Sequence, residues 1–139
     1  MRSTHPRPSW PTRLAIILTT ALSLTGLTGL TGVVPAQADV YESCTVARCS
    51  DARSANATWA AKGYPRARGW YPWPGGQYNY AGGRFRNRES QLPSGGVYQE
   101  YDVYPRERGA RRDAYRIVVD PSTGVTWFSP NHYTDFYRL

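Results

Sequence analysis

The hydrophobic pattern changes its period three times along the chain. It begins as an uncharged apolar run, Leu14 to Leu24, which Thr/Gly/Leu repeats extend to Val34. Arg2, Arg7 and Arg13 precede the run and Ala36-Gln37-Ala38 follows it, the order of a basic region, an apolar region and a small-residue cleavage site. Residues 1–38 are therefore expected to be a signal peptide. The run is long enough to span a bilayer. However, it contains five Thr and three Gly, and the cleavage site comes directly after it, so removal is favoured over a retained anchor and no stable membrane association is expected afterwards.

From Ser50 to Lys62 the period becomes helical: Ala52, Ala55, Trp59 and Lys62 fall on one narrow face. Ser50 is placed to cap the start, Asp51 suits the positive end of the helix dipole, and Gly63 is suited to close the end. Between Gly63 and Gly83 repeated Pro and Gly deny a regular period, which predicts an ordered aromatic loop region. Its rings either extend a small core or present a surface on which nucleobases stack. From Val97 onward β-branched and aromatic residues alternate with turn signals, predicting strands at Val97 to Val103, Tyr115 to Val119, Val125 to Ser129 and His132 to Tyr137. Pro105 to Gly109, Asp120 to Gly124 and Pro130-Asn131 separate them. The expected class is α+β: an N-terminal helix packed on a C-terminal antiparallel β-sheet. Residues 39–139 are enough for one domain, with the helix and aromatic region in 39–84 and the sheet in 85–139.

Composition narrows the chemistry. Without residues 1–38 the chain keeps fourteen cations against ten acids, a net charge of +4, and thirteen of those cations are Arg. Arg is the cation suited to planar, bidentate contact with phosphate or carboxylate, so a polyanionic partner fits. His5 leaves with the signal peptide, and His132 is then the only imidazole. A zinc site built from several His is excluded, and two thiols are too few for a structural Cys site. Neither metal nor cofactor is expected. Cys44 and Cys49, with four residues between them in an exported chain, are expected to form a local disulfide that fastens the N-terminus.

Alternation along the strands sorts the polar residues. Tyr98, Glu100 and Asp102 share one face of their strand, and Arg116 points away from the apolar side formed by Tyr115, Ile117 and Val119. Arg112, four residues earlier, shares the Arg116 side if the chain there is extended. Two carboxylates thus lie beside two guanidiniums. By periodicity alone this is equally a solvated sheet face with cross-strand ion pairs.

Four segments carry a resemblance. Phe85-Arg86-Asn87-Arg88-Glu89-Ser90-Gln91-Leu92-Pro93, Tyr98-Gln99-Glu100-Tyr101, Arg112-Asp113-Ala114-Tyr115-Arg116-Ile117 and Asn131-His132-Tyr133-Thr134-Asp135-Phe136 resemble, in order, the motifs of the small secreted microbial ribonucleases, the guanyl-preferring, barnase-like family. The similarity covers about half of residues 39–139. The Trp70-Tyr71-Pro72-Trp73-Pro74-Gly75-Gly76 stretch lies outside it.

The resemblance implies an extracellular, monomeric endoribonuclease that cleaves single-stranded RNA 3′ of guanosine through a 2′,3′-cyclic phosphate. Glu100 resembles the general base, His132 the general acid, and Arg112 and Arg116 the pair that holds the phosphate. Arg112 is preferred to Arg111 because its spacing to Arg116 matches the family's pair. Phe85, Asn87, Arg88, Glu89, Asp102 and Tyr133 resemble positions that hold the substrate. Within these, the Asn87-Arg88-Glu89 backbone and the Glu89 carboxylate resemble the guanine reader, and Asp102 an acid that supports the arginines. The family also implies a proteinaceous inhibitor of the barstar type. These residue types suit the reaction: a 2′-hydroxyl is a nucleophile already tethered beside its phosphorus, so positioning and proton transfer suffice. The competing expectation is a secreted, non-catalytic module for single-stranded nucleic acid or glycan, which would not require Glu100, His132 and the arginine pair together.

Overall fold

The structure, a computed structural model, describes residues 39–139; the expected signal peptide lies outside the described residues. One helix, Cys49–Ala61 (α1), accompanies seven strands: Val40–Tyr41 (β1), Gly69–Pro72 (β2), Tyr78–Phe85 (β3), Tyr98–Asp102 (β4), Arg116–Val119 (β5), Thr126–Ser129 (β6) and Phe136–Arg138 (β7). The strands make a single sheet in the order β1-β7-β6-β5-β4-β3-β2. The class is α+β.

Helix α1 begins one residue before the expected cap. The Cys44–Cys49 disulfide forms, and it fixes how the chain enters the helix, since Cys49 is the first helical residue. Arg48, in the left-handed region at φ 71°, precedes it, and no side chain caps the end. Ser50 lies within the first turn instead. Gly63 closes the other end as expected: at φ 72° its N–H donates to the Ala60 carbonyl at 2.9 Å.

The buried face of α1 is Cys49, Ala52, Ala55 and Trp59, while Lys62 is exposed. This face packs on Tyr101, Ile117, Val119 and Phe128, the inner residues of three successive strands. Trp59 is fully buried, with the rings of Trp73 and Tyr101 centred 4.7 and 4.9 Å away, and its indole N–H donates to the Asp102 carbonyl at 2.9 Å. The helix is therefore fastened to the β4 backbone by a directional bond as well as by area.

Three expectations are corrected. Gly63 to Gly83 is not without regular structure, because β2 and β3 form a hairpin there, with Trp70 opposite Tyr80. Its Gly and Pro residues are used within the strand pattern. Gly75 and Gly76, at φ 86° and 80°, make the turn. Pro72 ends the edge strand, where a missing N–H is tolerated. Secondly, the sheet is mixed, since β1 pairs in parallel with β7. Parallel pairing needs a long crossover, and nearly the whole domain supplies it. Thirdly, His132 is outside any strand: residues 130–135 form a turn, and β7 starts at Phe136.

The opposite sheet face is divided. Phe85, Leu92, Tyr98, Val118, Trp127 and Phe136 form a second buried cluster. Glu100, Asp102 and Arg116 occupy the rest of that face, so it is neither uniformly solvated nor uniformly apolar. Trp59→Ala is expected to cost about 3–5 kcal/mol, because it opens a large cavity between helix and sheet and removes the donor to Asp102. Urea unfolding of the two proteins measures this, and a loss below about 1 kcal/mol would contradict the packing described.

Candidate active site

Strand pairing brings the charged residues together. Register places Asp102 opposite Arg116 and Glu100 opposite Val118 on β4 and β5, so Glu100, Asp102 and Arg116 share a face. Asp102 is completely buried and is met by three guanidiniums. Arg112 grips it as a fork, with Nε at 3.0 and 3.1 Å from the two oxygens and Nη2 at 2.5 Å. Arg116 Nη1 and Arg106 Nη1 stand 3.3 and 3.2 Å away. Both also reach Asp113, at 3.4 and 2.8 Å. Isolated burial of a carboxylate is prohibitive; burial with three partners is not. Asp102 is thus a support beneath the arginines and cannot itself touch a ligand.

Arg112 is held from three directions. Burial works against its charge, but the Asp102 hydrogen bonds and the charges of Asp102 and Glu100 prevail and raise its pKa. Its guanidinium also lies 4.4 Å from the centre of the Tyr80 ring. Arg116 is almost wholly buried, and its Nε is without a partner among the described residues. Arg111, by contrast, is exposed, and its carbonyl accepts from Arg106. Arg112 and Arg116 thus share the Asp102 carboxylate, whereas Arg111 makes no such contact among the described residues.

Glu100 is mostly covered, its side chain 14% exposed, with one oxygen 3.6 Å from Arg112 Nη2. Its other oxygen accepts a hydrogen bond from the Tyr133 hydroxyl. Burial first, and the Glu100 charge second, push the Tyr133 pKa well above the ordinary tyrosine range, so the hydroxyl remains a donor. On the third side lies glycine. The register between β3 and β4 slips between Ala81 and Gly83, and a Cβ at Gly82 would overlap the Glu100 carboxylate. This bulge makes the space in which Glu100 sits.

His132 and Tyr133 both adopt left-handed backbone, φ 56° and 71°. Such strain persists only where neighbours over-determine it. Here His132 N–H donates to the Ala114 carbonyl at 3.0 Å and Tyr133 N–H to Ser129 Oγ at 2.8 Å. Asn131 clamps Asp135 through its backbone N–H at 2.9 Å and its carboxylate at 2.8 Å. The exposed His132 side chain consequently faces a cleft of about 810 Å³ that it lines with Arg111, Arg112, Asp113, Ala114 and Arg116.

The remaining candidates lie one strand over. Phe85 is buried, and its ring packs 4.9 Å from that of Tyr133, so its side chain supports the site from beneath. Asn87, at φ 45°, folds the loop after β3: its amide donates to the Leu92 carbonyl at 2.8 Å and accepts from the Leu92 N–H at 3.0 Å. Arg88 and Glu89 form the exposed tip of that loop. No ion pair joins Glu89 to the other candidates among the described residues. Sequence reasoning missed Arg106, Tyr80 and Gly82. Arg106 belongs to the Pro105 to Gly109 turn and Tyr80 to the aromatic stretch; only the fold brings either to Asp102 and Arg112.

Comparison with known proteins adds a family. A family model described as ribonuclease matches residues 36–139. No curated protein and no solved structure matches the chain.

The buried charge cluster generates a stability test. Asp102→Asn keeps the shape but leaves three guanidiniums around a neutral amide, and is expected to cost about 3–5 kcal/mol in urea unfolding. A cost within about 0.5 kcal/mol of zero, the scale of an ordinary surface change, would show that Asp102 does not organise the cluster.

Proposed function

The chain belongs to the ribonuclease family, and from that premise we propose that it is a secreted, metal-independent endoribonuclease that cleaves single-stranded RNA 3′ of guanosine. One observation carries the catalytic part. Glu100 and Arg116 lie on one sheet face, Arg112 reaches Glu100 from the segment before β5, and His132 borders the cleft that those arginines line. A module that only bound RNA would not need a mostly covered carboxylate and an exposed imidazole around one anion site.

In this reading the scissile phosphate enters the cleft against Arg112 and Arg116, which offset the charge that develops on its oxygens. The Glu100 carboxylate accepts the proton of the ribose 2′-hydroxyl as the 2′-oxygen attacks phosphorus. The bond from phosphorus to the 5′-oxygen breaks, and protonated His132 gives its proton to that oxygen. The products are a 2′,3′-cyclic phosphate and a 5′-hydroxyl. Hydrolysis runs the roles in reverse: His132 takes a proton from water, and Glu100 returns one to the departing 2′-oxygen. Tyr133 and Gly82 position the base, the first by its hydrogen bond and the second by leaving room.

Base choice is assigned to the loop after β3. Guanine displays N1–H and N2–H on one edge, and a single carboxylate accepts both, whereas adenine offers no matching pair. Asn87 sets the loop's shape, and Arg88 and Glu89 stand exposed at its tip, consistent with Glu89 as the reader. The leader-like residues 1–38 support export, and a ribonuclease of this kind calls for an inhibitor protein of the barstar type in the producing cell.

Glu100→Gln and His132→Ala are each expected to lower RNA cleavage roughly 100-fold to 10,000-fold, with EDTA without effect on the parent. Full activity in folded His132→Ala would overturn the assignment. Glu89→Ala is expected to lower kcat/KM on GpA about tenfold or more while ApA changes far less, since each lost charge-assisted bond costs about 1.5–3 kcal/mol. An unchanged GpA to ApA ratio would leave the nuclease standing and remove guanine reading from Glu89.

A further inference from the structure

A second cavity, about 770 Å³, is lined by Arg66, Arg68, Arg84, Arg86 and Arg88, with Gly82 and Gly83 between them. The arginines come from three places: the approach to β2, the end of β3 and the tip of the loop that follows. All five are exposed, no acidic residue lines the cavity, and none of them is in an ion pair among the described residues. Five like charges converging without a counter-charge cost free energy that an anion relieves. The guanidinium fork suits phosphate in particular.

This groove is continuous with the catalytic machinery at two points. Gly82 lines it, and Gly82 is the residue on which the Glu100 carboxylate rests. Tyr80 joins the two from the other side. Its hydroxyl accepts from Arg68 Nε at 2.8 Å, and its ring lies under Arg112, one of the arginines that line the cleft. The half-buried Trp70 ring stands 5.1 Å from Tyr80. Arginines interleaved with aromatic rings match a single-stranded nucleic acid, whose phosphates need cations and whose bases need flat surfaces. An acidic polypeptide would use the charges but not the rings.

We propose that this arginine groove binds the phosphates of the RNA strand beyond the nucleotides at the cleavage site, so that long strands are held far better than dinucleotides. The proposal rests on the ribonuclease reading for its biological meaning, but its test does not. A decamer with one 2′-deoxyguanosine, flanked by uridines, has no 2′-hydroxyl at the cleavage position and reports binding without turnover. Its affinity is measured by fluorescence anisotropy across a salt series for the parent and for Arg66→Ala/Arg68→Ala/Arg84→Ala/Arg86→Ala, with Arg88 retained because it belongs to the guanine loop. GpA turnover is measured beside it.

The variant is expected to bind the decamer roughly tenfold or more weakly at low salt, and its log-log salt slope is expected to be shallower by about 0.7 for each phosphate that is no longer neutralised. GpA kcat/KM stays within about twofold. The double variant Arg84→Ala/Arg86→Ala shows the same direction with a smaller size, and serves if the fourfold variant does not fold. Equal affinity and slope in parent and variants overturn the groove. Equal RNA affinity combined with lost binding of polyglutamate also overturns it, in favour of an acidic protein partner. A parent that binds the decamer through these arginines yet never turns over GpA supports the groove and overturns the function proposed above.

Discussion

A carboxylate with no exposure to water, Asp102, is the constraint around which the rest of the structure is arranged. Its charge has to be neutralised inside the protein, and Arg106, Arg112 and Arg116 do so from a turn, an irregular segment and a strand. None of these elements can shift without uncovering a charge in a place of low polarisability. The same residue's carbonyl accepts hydrogen bonds from Trp59 on the helix and Asn79 on β3. One residue therefore ties the core on one side of the sheet to the charged cleft on the other.

This arrangement explains how a small domain holds its arginines ready for an anion. Long cationic side chains on an open surface lose conformational freedom when they bind. Arg112 has already been fixed by Asp102 and Tyr80, and Arg116 by Asp102, Asp113 and burial. The ordering cost falls on folding, where the packing of Trp59, Tyr101 and Phe128 supplies the compensation. The groove arginines are different, being exposed and, among the described residues, without carboxylate partners. The chain thus carries two kinds of cationic cluster, a preorganised one around Asp102 and an adaptable one beside it.

Irregular backbone does the aiming. The bulge at Gly82 leaves a gap that Glu100 fills, and the left-handed pair His132-Tyr133 turns one side chain outward and the other down onto Glu100. A regular strand would send these two successive side chains to opposite faces of the sheet, so only one of them could reach the side on which Glu100 and Arg116 lie. The hydrogen bonds of Ser129, Ala114 and Asn131 hold that departure in place.

Much of this was legible in the chain alone. Helical spacing of Ala52, Ala55 and Trp59, the closing Gly63, the local disulfide and the alternation that puts Glu100, Asp102 and Arg116 on one side all follow from short-range periodicity and residue chemistry, which sequence displays directly. The four motifs likewise indicated a ribonuclease by themselves. What the sequence left open depended on residues distant along the chain. Pro and Gly between positions 63 and 83 denote breaks; the pairing of β2 with β3 makes a hairpin of them, and the pairing of β3 with β4 makes the bulge. His132 alternates plausibly as a strand residue until the Ala114 carbonyl and Ser129 hydroxyl fix it in a turn. Arg106, Tyr80 and the five-arginine groove have no sequence signature, because like charges scattered over residues 66–88 meet only when the sheet brings their segments side by side. Local propensity is written in the order of residues; the burial that makes Asp102 demand three arginines exists only once the fold excludes water from it.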